Sequence, residues 1–153
     1  MVIRELKKYD LPVALDLVRD VFYIFEAPEY EETGIHTFCD FIELENMTRM
    51  LEARVLRFYG AYEQDKLLGI IATRAANHIS LFFVAKDEQQ KGIGRALFMH
   101  VLASVTAGGH REITVNSSPY ATFIYRRLGF QGTDVEQTTD GIRYTPMRYL
   151  RSE

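Results

Sequence analysis

A buried strand that leads through a short glycine-bearing loop into a helix is the feature that most constrains the fold of this chain. The strand is predicted by the apolar run Ile79-Ser80-Leu81-Phe82-Phe83-Val84, which has the composition of a strand covered on both faces. The loop that follows reads Gln89-Gln90-Lys91-Gly92-Ile93-Gly94. Beyond it, apolar residues recur at every fourth position, as on one face of a helix, at Ile93, Leu97, Val101 and Val105. Such a strand–loop–helix unit predicts an α/β domain.

Helical patterns precede this unit, and further strands lie on both sides of it. Asp10 is placed to cap a first helix that ends near Pro28, and a second helical stretch, in one or two pieces, runs from about 33 to 53. Strands are predicted at 55–62, 67–73 and 113–115, a short helix at 119–128, and a hairpin turn at Asp140-Gly141. Neither a repeat nor a linker interrupts the chain, so we expect a single domain over residues 1–153.

The composition excludes several classes of protein. A single cysteine, Cys39, rules out an intramolecular disulfide framework and a zinc site built from several cysteines. The net charge of -3 gives no general attraction to nucleic acid, and no run approaches the roughly 20 apolar residues of a membrane span. The first residues, Met1-Val2-Ile3-Arg4-Glu5, lack the apolar stretch of a signal peptide. We therefore expect a cytoplasmic protein with no metal and with no nucleic-acid or membrane partner.

The glycine-bearing loop has the properties of an anion-binding turn. Backbone N–H groups at the start of a helix lack helical partners, and the positive end of the helix dipole adds to their attraction for anions. Gly92 and Gly94 allow a phosphate close to the backbone, and Lys91 and Arg95 add charge nearby. Two glycines can equally make nothing more than a tight turn. A dinucleotide fingerprint requires glycine where Leu97 stands, and the Walker phosphate loop is absent.

The pattern Gln89-x-x-Gly92-x-Gly94 after the strand ending at Val84 resembles the [Q/R]-x-x-G-x-[G/A] signature of the GNAT superfamily of N-acetyltransferases. The resemblance implies a mixed, twisted sheet of about six or seven strands with about four helices. It also implies that splayed central strands hold acetyl-CoA, with the pyrophosphate on the loop and the pantetheine arm along the strand. Gln89 stands where arginine is commoner, which would weaken the charge contact with the phosphates.

A second stretch, Val115 to Phe130, resembles a later motif of the same family. Ala121, Tyr125 and the pair Gly129-Phe130 match that motif, and a subfamily reads V-N-x-S-P-Y-A at this point. Either Asn116 or Ser118 would bind the coenzyme, and we favour Asn116. The resemblance therefore assigns coenzyme contacts to Phe82, Phe83, Val84, Gln89, Gln90, Lys91, Gly92, Ile93, Gly94, Arg95, Asn116, Ser118 and Ala121.

Acetyl transfer to an amine requires a neutral amine, a polarised thioester carbonyl and an acid for the departing thiolate. A tyrosine holds its proton at pH 7 and can supply it as charge develops on sulfur. The resemblance assigns this role to Tyr125, and it assigns the carbonyl contact to the backbone amide of Val84. The base is left open among Glu26, Glu29 and His78.

The acceptor is suggested by a segment rich in carboxylates and aromatic rings. From Asp20 to Thr48 the chain has no lysine or arginine but many acidic and aromatic residues. Such a segment can hold a cationic primary amine, whether a small metabolite, an aminoglycoside-like compound or a peptide amine. The candidate acceptor contacts are Glu26, Glu29, Tyr30 and His78. Alternatively, the carboxylates form a solvated helix face and the rings belong to the core.

Two other functions remain open from the sequence. A non-catalytic acyl-CoA sensor would keep the loop without turnover, and a nucleotide-phosphate binding module would bind ATP or NAD instead. A homodimer through the C-terminal strands is also compatible with the apolar and aromatic ending Tyr144 to Leu150.

Overall fold

An eight-stranded, mostly antiparallel sheet forms the centre of the fold in a computed structural model that describes residues 1–152. The strands are β1 (Val2–Glu5), β2 (Leu56–Glu63), β3 (Lys66–Arg74), β4 (His78–Val84), β5 (Glu112–Ser117), β6 (Gln131–Gly132), β7 (Gln137–Thr139) and β8 (Ile142–Leu150). The helices are α1 (Leu11–Val21), α2 (Glu32–Phe41), α3 (Leu44–Glu52), α4 (Ile93–Ala107) and α5 (Thr122–Leu128). Across the sheet the order is β1-β2-β3-β4-β5-β8-β6, and β7 pairs with β8.

Strands β4 and β5 separate soon after they begin. They run parallel and pair only through His78 with Thr114 and Ile79 with Val115. The rest of β4 keeps its antiparallel pairing with β3 as far as Val84 opposite Gly69. One edge of β4 is therefore free of strand partners toward its C-terminal end. The predicted α/β fold with splayed central strands is confirmed.

Helices cover both faces of the sheet. Helix α1 buries Leu11, Ala14, Leu15 and Val18 against one face, in the same cluster as Phe58 and Ile70. Helix α4 buries its predicted apolar residues on the other face, where Tyr59 and Ile71 lie. These residues are Ile93, Leu97, Val101 and Val105. Alternate residues of β2 thus enter different cores, which is the period expected of a strand covered on both sides.

The two ends of the first helix differ from the prediction. Asp10 stands at the predicted N-cap position, but its side chain makes no capping bond to α1, because the carboxylate instead accepts the Lys7 N–H at 2.8 Å and pairs with Arg4 at 3.1 Å. At the other end, α1 passes into a π-helical turn over Phe22–Glu26 and then a 3₁₀ turn over Ala27–Glu29. Apolar periodicity continues through this stretch, so the change of helix type is invisible in the sequence.

The remaining differences concern short elements. The second helical stretch is two helices, α2 and α3, and the strands β6 and β7 are too short to show a hydrophobic period. The predicted turn at Asp140-Gly141 joins β7 to β8, and both residues have positive φ. Strand β8 pairs with β5 over residues 145–150, with β6 at Met147 and Arg148, and with β7 over residues 142–144. In residues 1–152, no helix has the length and apolarity needed to cross a membrane.

Candidate functional site

Helix α4 begins without a capping side chain. Its N-cap is Gly92 at φ +84, and the Ala96 N–H makes a bond to the Gly92 carbonyl at 3.0 Å. The N–H groups of Ile93, Gly94 and Arg95 precede that bond and have no partner within the helix. A Cβ placed on Gly92 would meet no atom within 4 Å. The helix therefore offers several N–H groups and its positive dipole end to an anion that can approach the backbone closely.

The side chains of the loop divide into those that hold it and those that face outward. Gln89 Nε2 donates to the Val84 carbonyl at 3.1 Å, which ties the loop to the end of β4. Lys91 lies 3.3 Å from Glu88, whose pKa is lowered by hydrogen bonds from Lys66 and Lys91. Arg95 is exposed and lines the cavity described next. Arg95 thus borders the cavity, whereas Lys91 is paired with a carboxylate.

A cavity of about 640 Å³ lies between the end of β4, the loop and α5. Its wall includes Phe82, Phe83 and Val84 from β4 and Gly92 and Gly94 from the loop. The Ala85 N–H donates to the Leu68 carbonyl on β3. Because successive residues of a strand turn their N–H groups to opposite edges, the Val84 N–H points away from β3. The free edge of β4 therefore presents backbone hydrogen-bonding groups to this cavity.

A smaller chamber of about 220 Å³ adjoins the cavity on the side of α2 and β5. Residues found only in its wall include Tyr30, Phe38, Asn116, Ser118 and Ile142. The residues shared by the two spaces are Glu26, Phe82, Phe83, Ala121 and Tyr125. These shared residues define the junction, where a molecule in the cavity and a molecule in the chamber would meet.

Glu26 is the carboxyl group at the junction. It is the last residue of the π-helical turn, in which the Ala27 N–H bonds the Phe22 carbonyl. Burial raises the pKa of Glu26 to about 7, the nearby charge of Glu29 adds to the effect, and a hydrogen bond from Ser118 opposes it. At neutral pH this carboxyl is thus poised between accepting and releasing a proton.

Tyr125 is the hydroxyl group at the junction. It lies on α5 and is 6% exposed, with its ring against Phe82 at 6.0 Å and Phe130 at 5.2 Å between centroids. Burial, with the charge of Glu26 as a smaller cause, raises its pKa above the ordinary value of 10. The hydroxyl is therefore protonated at neutral pH and is not a phenolate.

The model of the family described as "Acetyltransferase (GNAT) domain" matches residues 26–151, which include the loop, β4, β5 and α5. The chain belongs to this family. Its GNAT domain therefore contains all five residues of the junction and nearly all of the residues that line the two spaces.

Known proteins resemble this GNAT domain at low sequence identity. The UPF0157 protein YqkA of Bacillus subtilis (strain 168) is 28% identical over 131 residues, which are 82% of this chain and 38% of that protein. A GCN5-related N-acetyltransferase from Rhodopseudomonas palustris superposes with a TM-score of 0.85 at 17% identity, covering 97% of this chain and 94% of that one. PaiA N-acetyltransferase from Thermoplasma acidophilum, solved in complex with coenzyme A, gives 0.79 at 19% identity over 97% and 98% of the chains. The two structures share the fold of this chain.

Most of the residues predicted for the coenzyme line one cavity. Gln89, Gln90, Gly92, Gly94 and Arg95 line the cavity, together with Phe82, Phe83, Val84 and Ala121. Lys91 and Ile93 do not, since Ile93 is buried in the core and Lys91 turns to Glu88. Asn116 and Ser118 both face the smaller chamber instead, because they follow the part of β5 that has diverged from β4.

Two predicted acceptor residues lie outside the site. His78 is at the first residue of β4, six residues before Val84 and therefore roughly 20 Å from it along the strand. Its Nδ1 lies 2.8 Å from Thr114 Oγ1, and burial lowers its pKa, as does the charge of Arg74. Glu29 is exposed and lines neither space. Of the four candidates only Glu26 and Tyr30 face the chamber.

The sequence reasoning missed residues of α5 and of the turn before it. Tyr120, Phe123 and Arg127 line the larger cavity, and Tyr120 stacks on Phe25 at 5.0 Å. The four-residue spacing of Phe123 and Arg127 places them on one helix face, which could have signalled a shared surface.

Proposed function

We propose that this chain transfers an acetyl group from acetyl-CoA to a cationic primary amine. The observation that carries the proposal is the junction, where Tyr125 and Glu26 stand between a cavity of about 640 Å³ and a chamber of about 220 Å³. A reaction between two substrates needs such a meeting point, with a proton donor and a proton acceptor beside it.

The larger cavity has features that suit two parts of coenzyme A, the pyrophosphate and the extended arm. The unpaired N–H groups at the start of α4 and the charge of Arg95 match a pyrophosphate, and the space above Gly92 lets it approach. The free edge of β4 matches an extended arm that bears amides. A solved relative of the same fold, PaiA N-acetyltransferase, is a complex with coenzyme A. These features support acetyl-CoA as the acetyl donor.

The chemistry assigns a separate task to each junction residue. The Glu26 carboxylate takes a proton from the acceptor ammonium, which frees the nitrogen lone pair to attack the thioester carbonyl. The Val84 N–H stabilises the charge on the carbonyl oxygen as the new C–N bond forms. When the C–S bond breaks, Tyr125 gives its proton to the departing thiolate and regains one from the nitrogen. The products are the N-acetylated amine, free coenzyme A and one released proton.

Glu26 is preferred as the base because of its position and its proton affinity. It lines both spaces, whereas Glu29 and His78 line neither. A carboxyl with a pKa of about 7 holds a proton more firmly than an exposed one while remaining partly ionised at neutral pH. We assign the base to Glu26.

Release of coenzyme A thiol from acetyl-CoA, measured with and without primary amines, tests the proposal. Thiol release that depends on the amine, together with the acetylated amine in a mass spectrum, is the expected result. Tight binding of acetyl-CoA with no turnover on any amine would instead indicate an acyl-CoA sensor. Binding of ATP or NAD in preference to coenzyme A would indicate a nucleotide-phosphate module.

The tyrosine assignment has its own test. Tyr125→Phe removes only the hydroxyl and is expected to lower kcat at least tenfold, in line with the roughly 10²–10⁴-fold contribution of acid–base groups. The affinity for coenzyme A should hardly change. Tyr149→Phe is the matched control, because Tyr149 packs in the same aromatic cluster with Phe98 and Phe130 but lines neither space. An unaltered kcat in Tyr125→Phe would rule out the acid role.

A further inference from the structure

The smaller chamber has one carboxyl group in a mainly apolar and aromatic wall. The chamber is lined by the rings of Tyr30, Phe38 and Phe41 and by the side chain of Ile142. Glu26 is the acidic residue among the lining residues. No lysine, arginine or histidine of residues 1–152 lines the chamber. A single positive charge that enters can therefore be matched by one carboxylate and by aromatic faces.

The other carboxylates of the acidic segment do not reach the chamber. Asp20, Glu31, Glu32 and Glu43 are exposed, and none of them lines the chamber wall. A second ammonium group inside would find no second carboxylate, only apolar surface and the uncharged polar side chains of Ser80, Asn116 and Ser118. Removing an unpaired charge from water costs at least several kcal/mol, so the chamber disfavours diamines, polyamines and aminoglycosides.

The volume of the chamber sets a second limit. Its volume is about 220 Å³. It lies below the roughly 300–1,000 Å³ of pockets for drug-sized ligands. Only a compact molecule, or the tip of a larger one, fits within this space.

A hairpin held against α2 forms the wall that contains Ile142. Gly34 on α2 and Gly141 touch through their backbones so closely that a Cβ on either would overlap the other segment. Thr37 Oγ1 donates to the Asp140 carbonyl at 2.7 Å, and Arg143 Nη1 donates to the Glu29 carbonyl at 3.1 Å. These contacts hold the β7–β8 turn in place, so the wall is formed before any acceptor binds.

We propose, on the basis of the function proposed above, that the acceptor is a primary monoamine with a short apolar or aromatic body that fills this chamber. Its ammonium lies at Glu26, and its body extends among the rings toward Ile142. Ile142 lines the chamber but not the junction, and it therefore limits the length of the body.

A panel of amines tests this inference with the full chain. Thiol release from acetyl-CoA is measured with butylamine, benzylamine and 2-phenylethylamine, and compared with 1,4-diaminobutane, spermine, kanamycin and a lysine-containing peptide. The expected result is a kcat/KM at least tenfold higher for the monoamines. Higher kcat/KM for spermine, kanamycin or the peptide would overturn the monoamine assignment and leave acetyl transfer intact. Absence of transfer to every amine would overturn the proposed function and this inference together.

The role of Ile142 is tested by Ile142→Ala. The shorter side chain lengthens the chamber, so kcat/KM for 4-phenylbutylamine should rise about tenfold relative to benzylamine, because a few methylene groups in an apolar pocket are worth that much. Val135→Ala is the control, since Val135 is 74% exposed on the segment before β7 and lines neither space. Thermal melting of both variants monitors the fold. An unchanged ratio in a folded Ile142→Ala protein would refute the role of Ile142 in limiting length.

Discussion

Replacing Glu26 by glutamine is expected to change how the stability of the fold depends on pH. In the folded chain burial raises the pKa of this carboxyl from 4.5 to about 7, whereas in the unfolded chain it is hydrated and keeps the ordinary value. The folded state therefore binds more protons than the unfolded state between these two values. The free energy of unfolding consequently falls as the pH rises through this window. The destabilisation is complete above the folded pKa and disappears below the unfolded one.

The size of the effect follows from the two pKa values. Each unit of pKa is worth about 1.4 kcal/mol, so the ionised Glu26 lowers the free energy of unfolding by about 3 kcal/mol at pH 8. At pH 5 most of this difference is absent. Glutamine has nearly the same shape and does not titrate. The stability of Glu26→Gln relative to the wild type is therefore expected to increase by about 2 kcal/mol between pH 5 and pH 8.

Urea unfolding followed by far-ultraviolet circular dichroism measures this difference, and it suits a chain without tryptophan. Glu31→Gln is the matched control, because Glu31 is exposed in the same acidic segment and a surface substitution of this kind changes stability by less than about 0.5 kcal/mol. If the curves of Glu26→Gln and wild type stay parallel from pH 5 to pH 8, Glu26 is hydrated like a surface carboxyl and the reasoning is wrong.

Three further outcomes are expected. Gly34→Ala should lower the free energy of unfolding by about 1–3 kcal/mol in urea unfolding, because its Cβ would overlap a backbone carbonyl of the facing hairpin. Gly108→Ala is the control, because its Cβ would meet atoms no closer than 3.5 Å, so the free energy of unfolding should hardly change. Equal losses of stability in the two variants would contradict the close contact at Gly34. Arg95→Ala should raise KM for acetyl-CoA about tenfold through the lost phosphate contact, while Arg126→Ala, exposed and outside the cavity, leaves it unchanged. The kcat/KM of the wild type should rise with pH and level off above about 7 as Glu26 ionises; if Glu26→Gln retains this inflection, another group is the base.

Local signals carried much of the fold prediction. The four-residue series on α4, the apolar run of β4 and the turn at Asp140-Gly141 are each set by neighbouring residues, so a short stretch of sequence predicts them. Asp10 was predicted correctly as the N-cap residue, but the bonds of its side chain were not, because the carboxylate bonds Arg4 and Lys7. Nothing in the residues near position 10 shows that a strand residue will lie beside it.

The candidate site was predicted less completely than the fold. The loop before α4 and Tyr125 belong to contiguous motifs, and the structure brings both to one cavity. Glu26 was one of several carboxylates in an acidic segment, and sequence gave no reason to prefer it. Glu26 is preferred because the structure places it at the junction of the two spaces, where burial raises its pKa. That burial depends on residues far away in the chain.

By itself, the sequence determined the order of the longer strands and helices, the glycine-bearing loop before α4 and the resemblance to an acetyltransferase, because each depends on short-range periodicity or on one motif. Only the tertiary structure decided which polar groups meet. It separated His78 and Glu29 from the junction, turned Asn116 and Ser118 to the chamber, and left a single carboxyl among aromatic rings. The physical reason is that burial and proximity depend on how β4 and β5 diverge and on how the β7–β8 turn packs against α2.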